Sequence, residues 1–125
     1  ILADTVAEEI IYLLGPENVR GIFYADLHGG EPVNVGEIGG KDIDIILWLD
    51  EKIVVKEELL ERKLEERTSR ILEQLLGKDI RKTLNIPNLV ELHIVKNLEK
   101  DIFGWLIKNR SSGAIPIWLR REDAK

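Results

Sequence analysis

The residues most able to do chemistry lie in Gly39-Gly40-Lys41-Asp42-Ile43-Asp44, where glycines lead directly into two acids spaced i, i+2 at the mouth of an apolar run. On a strand, residues i and i+2 share a face about 6.6 Å apart, so Asp42 and Asp44 project together while Ile43 and Ile45 point the other way. Adjacent carboxylates repel, and desolvation beside Ile45, Ile46 and Leu47 sharpens the repulsion, so a divalent cation is the natural neutraliser. Carboxylate oxygens suit Mg²⁺, which commonly shares its coordination with substrate phosphates. Such a pair at a strand end also fits acids that simply face water. A third acid strengthens the metal reading. Glu91 sits inside the apolar run Leu89-Val90-Glu91-Leu92-His93-Ile94-Val95, whose alternation puts Glu91 and His93 on one face and Val90, Leu92 and Ile94 on the other. If the two strands are neighbours, Glu91 joins the aspartates in a three-carboxylate site, with His93 able to bind the metal or orient Glu91. The same alternation also fits the wet face of a half-exposed sheet.

The elements that must position these groups follow from periodicity. Val6, Ile10, Leu13 and Leu14 mark one face of a helix over about 2–14, which Gly15-Pro16 terminates. The run 19–27 is rich in β-branched and aromatic residues and predicts a strand, ended by His28-Gly29-Gly30. Residues 29–41 contain five of the ten glycines and predict an irregular connection. The segment 42–49 predicts a buried central strand, and 55–76 a long helix closed by Gly77, with the Glu- and Arg-rich stretch from Lys56 to Arg70 as its solvated face. A turn at Pro87-Asn88 precedes a third strand over 89–95. A short helix over 101–108 follows, then an edge strand over 114–119, because Pro116 cannot donate to a central ladder.

At 125 residues and 44% hydrophobic composition, the chain predicts a single domain over 1–125 with one core. It has no Cys, which excludes disulfides, zinc–thiolate sites and thiol nucleophiles, so any metal must sit on oxygen or imidazole. The net charge of −5 argues against a generally basic nucleic-acid-coating surface. The charge is uneven, since residues 1–77 carry 8 basic against 17 acidic side chains and residues 78–125 carry 10 against 6. The second half is therefore the side for phosphate, and Lys78, Arg81 and Lys82 form a small basic cluster there. No run is long and apolar enough to span a membrane, and no cleavable signal is visible, so the expectation is a soluble, cytoplasmic protein with no membrane partner. The lack of Met even at position 1 suggests a start inside the gene product or loss of Met in processing. Abundant Ile, Glu, Lys and Arg with a single Gln is similar to thermophile composition.

In order and spacing these features resemble the minimal nucleotidyltransferases, small relatives of the DNA polymerase β and kanamycin nucleotidyltransferase fold. Gly40-Lys41-Asp42-Ile43-Asp44-Ile45-Ile46-Leu47 resembles the family's Asp-x-Asp strand, Val90-Glu91-Leu92 its third-acid strand, and 113–119 its closing strand. The resemblance implies an α+β fold with a nucleotidyltransferase-like mixed β-sheet flanked by helices. It implies two Mg²⁺ ions, bound by Asp42, Asp44 and Glu91, that hold a nucleoside triphosphate in line with an acceptor hydroxyl. Glu91 would bind the ion that activates the nucleophile, and Gly39, Gly40 and Lys41 would contact the triphosphate. The family's Gly-Ser pair, whose amides and hydroxyl meet the phosphates, falls here on Ala25-Asp26. Asp26 brings negative charge to that place and Ala25 restricts a turn that glycine permits, so Asp26 would approach the metal or Gly29-Gly30 or Gly39-Gly40 would supply the amides.

The resemblance further implies ATP or another nucleotide as donor, a nucleic acid among the possible acceptors, and a separately encoded helical partner of the HEPN type in an antitoxin-like pairing. Self-association is the other route to a complete acceptor site, with apolar surface around Trp105 or Trp118 covered by another chain. Ala25-Asp26 equally fits a catalytically degenerate module that binds a nucleotide or a protein without transfer. A metal-dependent nuclease using Asp44 and Glu91 is weaker, because the lysine such sites place two residues after the acid is His93 here.

Overall fold

The computed structural model describes residues 2–25, 27–28, 31–32, 43–84, 89–99 and 114–121. Its first helix, α1 (Leu2–Leu14), buries Val6, Ala7 and Ile10, the stripe expected from their three- and four-residue spacing. Gly15 ends it at φ 84°, a left-handed conformation that side chains resist, with its N–H on the Ile11 carbonyl at 2.8 Å. The Asn18 side-chain amide donates to the Leu14 carbonyl at 2.6 Å, and the intervening Pro16–Asn18 forms one 3₁₀ turn.

Four strands make a mixed sheet: β1 (Val19–Ala25), β4 (Ile43–Leu49), β5 (Val90–Val95) and β6 (Ala114–Leu119), in the order β5-β4-β1-β6. Two short strands, β2 (Leu27–His28) and β3 (Glu31–Pro32), pair with each other in a separate antiparallel hairpin. The first strand therefore stops at Ala25, earlier than the apolar run to Leu27 predicts, and part of the expected loop is hairpin. β1 runs antiparallel to both β4 and β6, whereas β4 and β5 are parallel. A parallel pair requires a crossover, and α2 (Glu57–Leu76) supplies it. Val54 and Val55 stay exposed ahead of that helix, which starts two residues later than the pattern predicts. A one-turn helix, α3 (Ile80–Leu84), follows Gly77 and has no counterpart in the periodicity. Pro116 lies in the outermost strand opposite Phe23, beside a register shift, as its missing N–H requires.

The strand faces separate two apolar layers. Ile22, Ile45, Leu47, Leu92 and Ile94 meet α1 and α2 through Val6, Ile10, Leu64 and Leu72. On the opposite face, Phe23, Ala25, Ile46, Trp48, Val95 and Ala114 form a second cluster. Arg20 falls at a register shift between β1 and β4 and lays its guanidinium 4.0 Å from the centre of the Trp48 ring.

The free edge of β5 is closed by side chains of α2. In the parallel ladder, alternate N–H groups of β5 point away from β4 and need partners. The Ser69 hydroxyl accepts from Leu89 and Val90 at 3.2 and 3.4 Å, Glu65 accepts from Leu92 at 2.8 Å, and Glu61 accepts from Ile94 at 3.4 Å. Positions 61, 65 and 69 recur every four residues and so form one ridge of the helix. The stretch expected as a purely solvated face is therefore partly committed to the sheet. Ser69 is fully buried, so Ser69→Ala should destabilise the fold by about 1–3 kcal/mol through the orphaned amides, measured by denaturant unfolding.

Candidate functional site

β4 and β5 are in register at Ile43 with Val90, Asp44 with Glu91, and Ile46 with His93. Because Leu92 and Ile94 are held on the helix side by the core, Glu91 and His93 must point to the other face, where Asp44 also lies. On its other flank Asp44 pairs with Ala25, which in turn pairs with Ala114. One row across the sheet thus reads Ala114, Ala25, Asp44, Glu91. It lies where β1 ends and β4, β5 and β6 begin.

Within that row the environments differ. Asp44 is 5% exposed, while the Glu91 side chain is 52% exposed. His93 stands one row further along β5, and its Nε2 lies 3.8 Å from Asp44 Oδ1 and 3.8 Å from Glu91 Oε1. Both contacts are ion-pair distances. Ligand-capable atoms of Asp44, Glu91 and His93 all fall within 4.8 Å of one another, a grouping of two carboxylates and one imidazole.

Burial disfavours the charged imidazole of His93, but the Asp44 acceptor and the negative charges of Glu91, Asp44 and Glu61 outweigh it and hold its pKa above the ordinary value. Burial also pushes the Glu61 and Glu65 carboxyls up, against the lowering influence of the amides of Ile94 and Leu92. Four carboxylates therefore act on one imidazole at this end of β5, the two of α2 from the strand edge and Asp44 and Glu91 from the sheet face. Such a site calls for positive charge.

The residues present fit a divalent cation, since a nearly buried carboxylate, an accessible carboxylate and an imidazole make a hard-to-borderline donor set. Of the residues expected at the site, Asp44 and Glu91 are brought together. Asp42, Gly39, Gly40, Lys41 and Asp26 lie outside the described residues, as do Trp105 and the helix expected over 101–108. Trp48 is buried in the second cluster and Trp118 is half-buried against the first. In the basic cluster, Arg81 is hydrogen-bonded to Glu73, leaving Lys78 and Lys82 as its exposed members. Glu61 and Glu65 were not expected near the site. Their signal is the four-residue spacing with Ser69, on a helix otherwise crowded with acids. Among the described residues, no helix is long and apolar enough to cross a membrane. Comparison of the chain with family models, curated proteins and solved structures gives no match.

The raised imidazole fixes the sign of a pH effect. A group whose folded pKa exceeds its unfolded value contributes stability below the unfolded value, 6.5 here, and loses it as pH rises through the folded value. The metal-free protein in chelator should therefore show a Tm that falls as pH rises above about 6.5. His93→Gln should flatten that slope, read by thermal denaturation across a pH series.

Proposed function

We propose that the chain is a metal-dependent nucleotidyltransferase-like domain that transfers a nucleoside monophosphate from a nucleoside triphosphate to an acceptor hydroxyl. The observation carrying the reading is the in-register pairing of Asp44 with Glu91 on one face, beside the end of β1. This is the arrangement that the Asp-x-Asp strand and third-acid strand of the resemblance require. Mg²⁺ or a similar cation, as one ion or two, would be held by Asp44 and Glu91, with Asp42 as the further carboxylate. Bound there, it would neutralise phosphate charge and lower the pKa of the acceptor hydroxyl.

The chain's own groups divide the remaining work. Asp44, buried and fixed by strands on both sides, is the rigid anchor. Glu91 is exposed and keeps rotamer freedom, so it is the group that can accept the proton of the acceptor hydroxyl. A bond forms from that oxygen to the α-phosphorus as the bond to pyrophosphate breaks. Gly39, Gly40 and Lys41 would contact the triphosphate, and Lys78 and Lys82 would favour a nucleic-acid acceptor. A helical HEPN-type protein or a second copy of the chain would complete the acceptor side in a cytoplasmic, antitoxin-like pairing.

A second reading draws on Ala25. This residue is 1% exposed and packed between Asp44 and Ala114, where the family places the glycine of its phosphate turn. That substitution favours a module that binds a nucleotide or a protein without transfer.

Incubation with α-labelled ATP, CTP, GTP and UTP, Mg²⁺ or Mn²⁺, and nucleic-acid or protein acceptors tests both. Transfer should occur and should fall by about 100-fold or more in Asp44→Asn and Glu91→Gln. Transfer unaffected by either change refutes the assignment, and nucleotide binding without transfer establishes the module instead.

A further inference from the structure

Resting on the reading of Asp44 and Glu91 as cation holders, we infer that His93 is the third ligand of that site, through Nε2. Its presence makes the centre select first-row transition ions such as Mn²⁺, Co²⁺ or Zn²⁺ over Mg²⁺. Three observations carry this. First, Nε2 is the ring atom that faces both carboxylates, at 3.8 Å from each, so the imidazole already occupies the shared space rather than its margin. Second, His93 is placed by a strand whose alternate residues Leu92 and Ile94 are locked into the core, so the ring's approach is set by the fold and does not depend on a loop. Third, the neighbouring acids that could compete are already engaged, Glu65 by the Leu92 amide and Glu61 by the Ile94 amide.

The chemistry follows from the donor set. A pair of carboxylates alone suits hard ions, and Mg²⁺ keeps to oxygen and gives up its waters reluctantly. Imidazole is a borderline donor whose affinity for divalent ions rises along the first transition row. Exchanging a water or a third carboxylate for Nε2 therefore adds binding energy for Co²⁺ or Zn²⁺ that Mg²⁺ does not gain. Asp44 supplies the buried anchor, Glu91 the accessible and adjustable arm, and His93 the selectivity. His93 is thus assigned a role in choosing the ion, distinct from the proton transfer given to Glu91.

The experiment uses the full chain stripped of metal by chelator, titrated calorimetrically with Mg²⁺, Mn²⁺ and Co²⁺ at one fixed pH. The same titrations are made on His93→Gln, His28→Gln and Asp44→Asn, with the folding of each verified by circular dichroism. His28 is the only other histidine of the chain and serves as the control. Wild type and His28→Gln should hold Co²⁺ and Mn²⁺ at least about tenfold more tightly than Mg²⁺. His93→Gln should lose that preference while keeping its Mg²⁺ affinity within about threefold, and Asp44→Asn should weaken all three ions by about tenfold or more. Pulsed electron paramagnetic resonance of bound Mn²⁺ should show coupling to an imidazole ¹⁴N in wild type, a readout that needs no variant to fold.

Absence of that coupling, or a transition-metal preference that survives in His93→Gln, overturns the inference. Nitrogen ligation without nucleotidyl transfer would leave it standing and remove the transferase reading. Transfer with oxygen-only ligation would do the reverse.

Discussion

The whole site depends on the register between two parallel strands. Asp44 meets Glu91 because β4 and β5 are paired in that one register, and a slip of one residue would turn Glu91 and His93 toward the helices. What prevents the slip is apolar. Val90, Leu92 and Ile94 are buried beside Ile45 and Leu47 in the layer that α1 and α2 cover, and a slip would place a glutamate and a histidine in that layer. Hydrophobic pattern on one face therefore fixes the position of polar chemistry on the other. The cost of burying an unpaired carboxylate makes the alternative register inaccessible.

That arrangement collects negative charge around a nearly buried carboxylate. Asp44 is nearly buried, Glu91 is its cross-strand neighbour, and Glu61 and Glu65 arrive from α2. Two devices hold the charges without a metal. One is His93, whose imidazole is driven toward its charged form by the surrounding carboxylates. The other is the row of β5 amides, whose N–H dipoles meet the carboxylates of α2. Only the first faces Asp44 and Glu91 directly. A proton on His93 and a cation between the carboxylates would therefore answer the same electrostatic demand.

Much of this was legible in the residues. The alternation in 89–95 assigns Glu91 and His93 to one face, and the unbroken apolar run after Asp44 marks a strand buried on both sides, as β4 is. Pro116 marks an edge strand, and Gly15-Pro16 and Gly77 mark helix ends, because each acts through its own backbone restrictions. The contribution of α2 was not legible. A stretch such as Glu61, Arg62, Lys63, Glu65, Glu66 has the composition of a wet helix face, and which of its acids bends back to a strand edge depends on where the crossover lays the helix. The short helix at Ile80–Leu84 was equally hidden, since one turn is too short to show a period. The hairpin of β2 and β3 was masked by the apolar continuity of Ala25 with Leu27 across Asp26.

The edge of β5 links the architecture to the chemistry. A bare edge strand would be free to shift and to pair with another chain, and proteins usually blunt such edges with lysines, prolines or bulges. Here Ser69, Glu65 and Glu61 bond successive outward amides of the strand that carries Glu91 and His93. The helix thereby fixes the strand along its length from outside while β4 fixes it from inside. Glu91 and His93 then emerge from a backbone held on both edges, which is the rigidity a ligand set needs if one ion is to be chosen over another. The same bonds place two further carboxylates at the strand's outer edge, so the device that positions the site also adds to the negative charge around it.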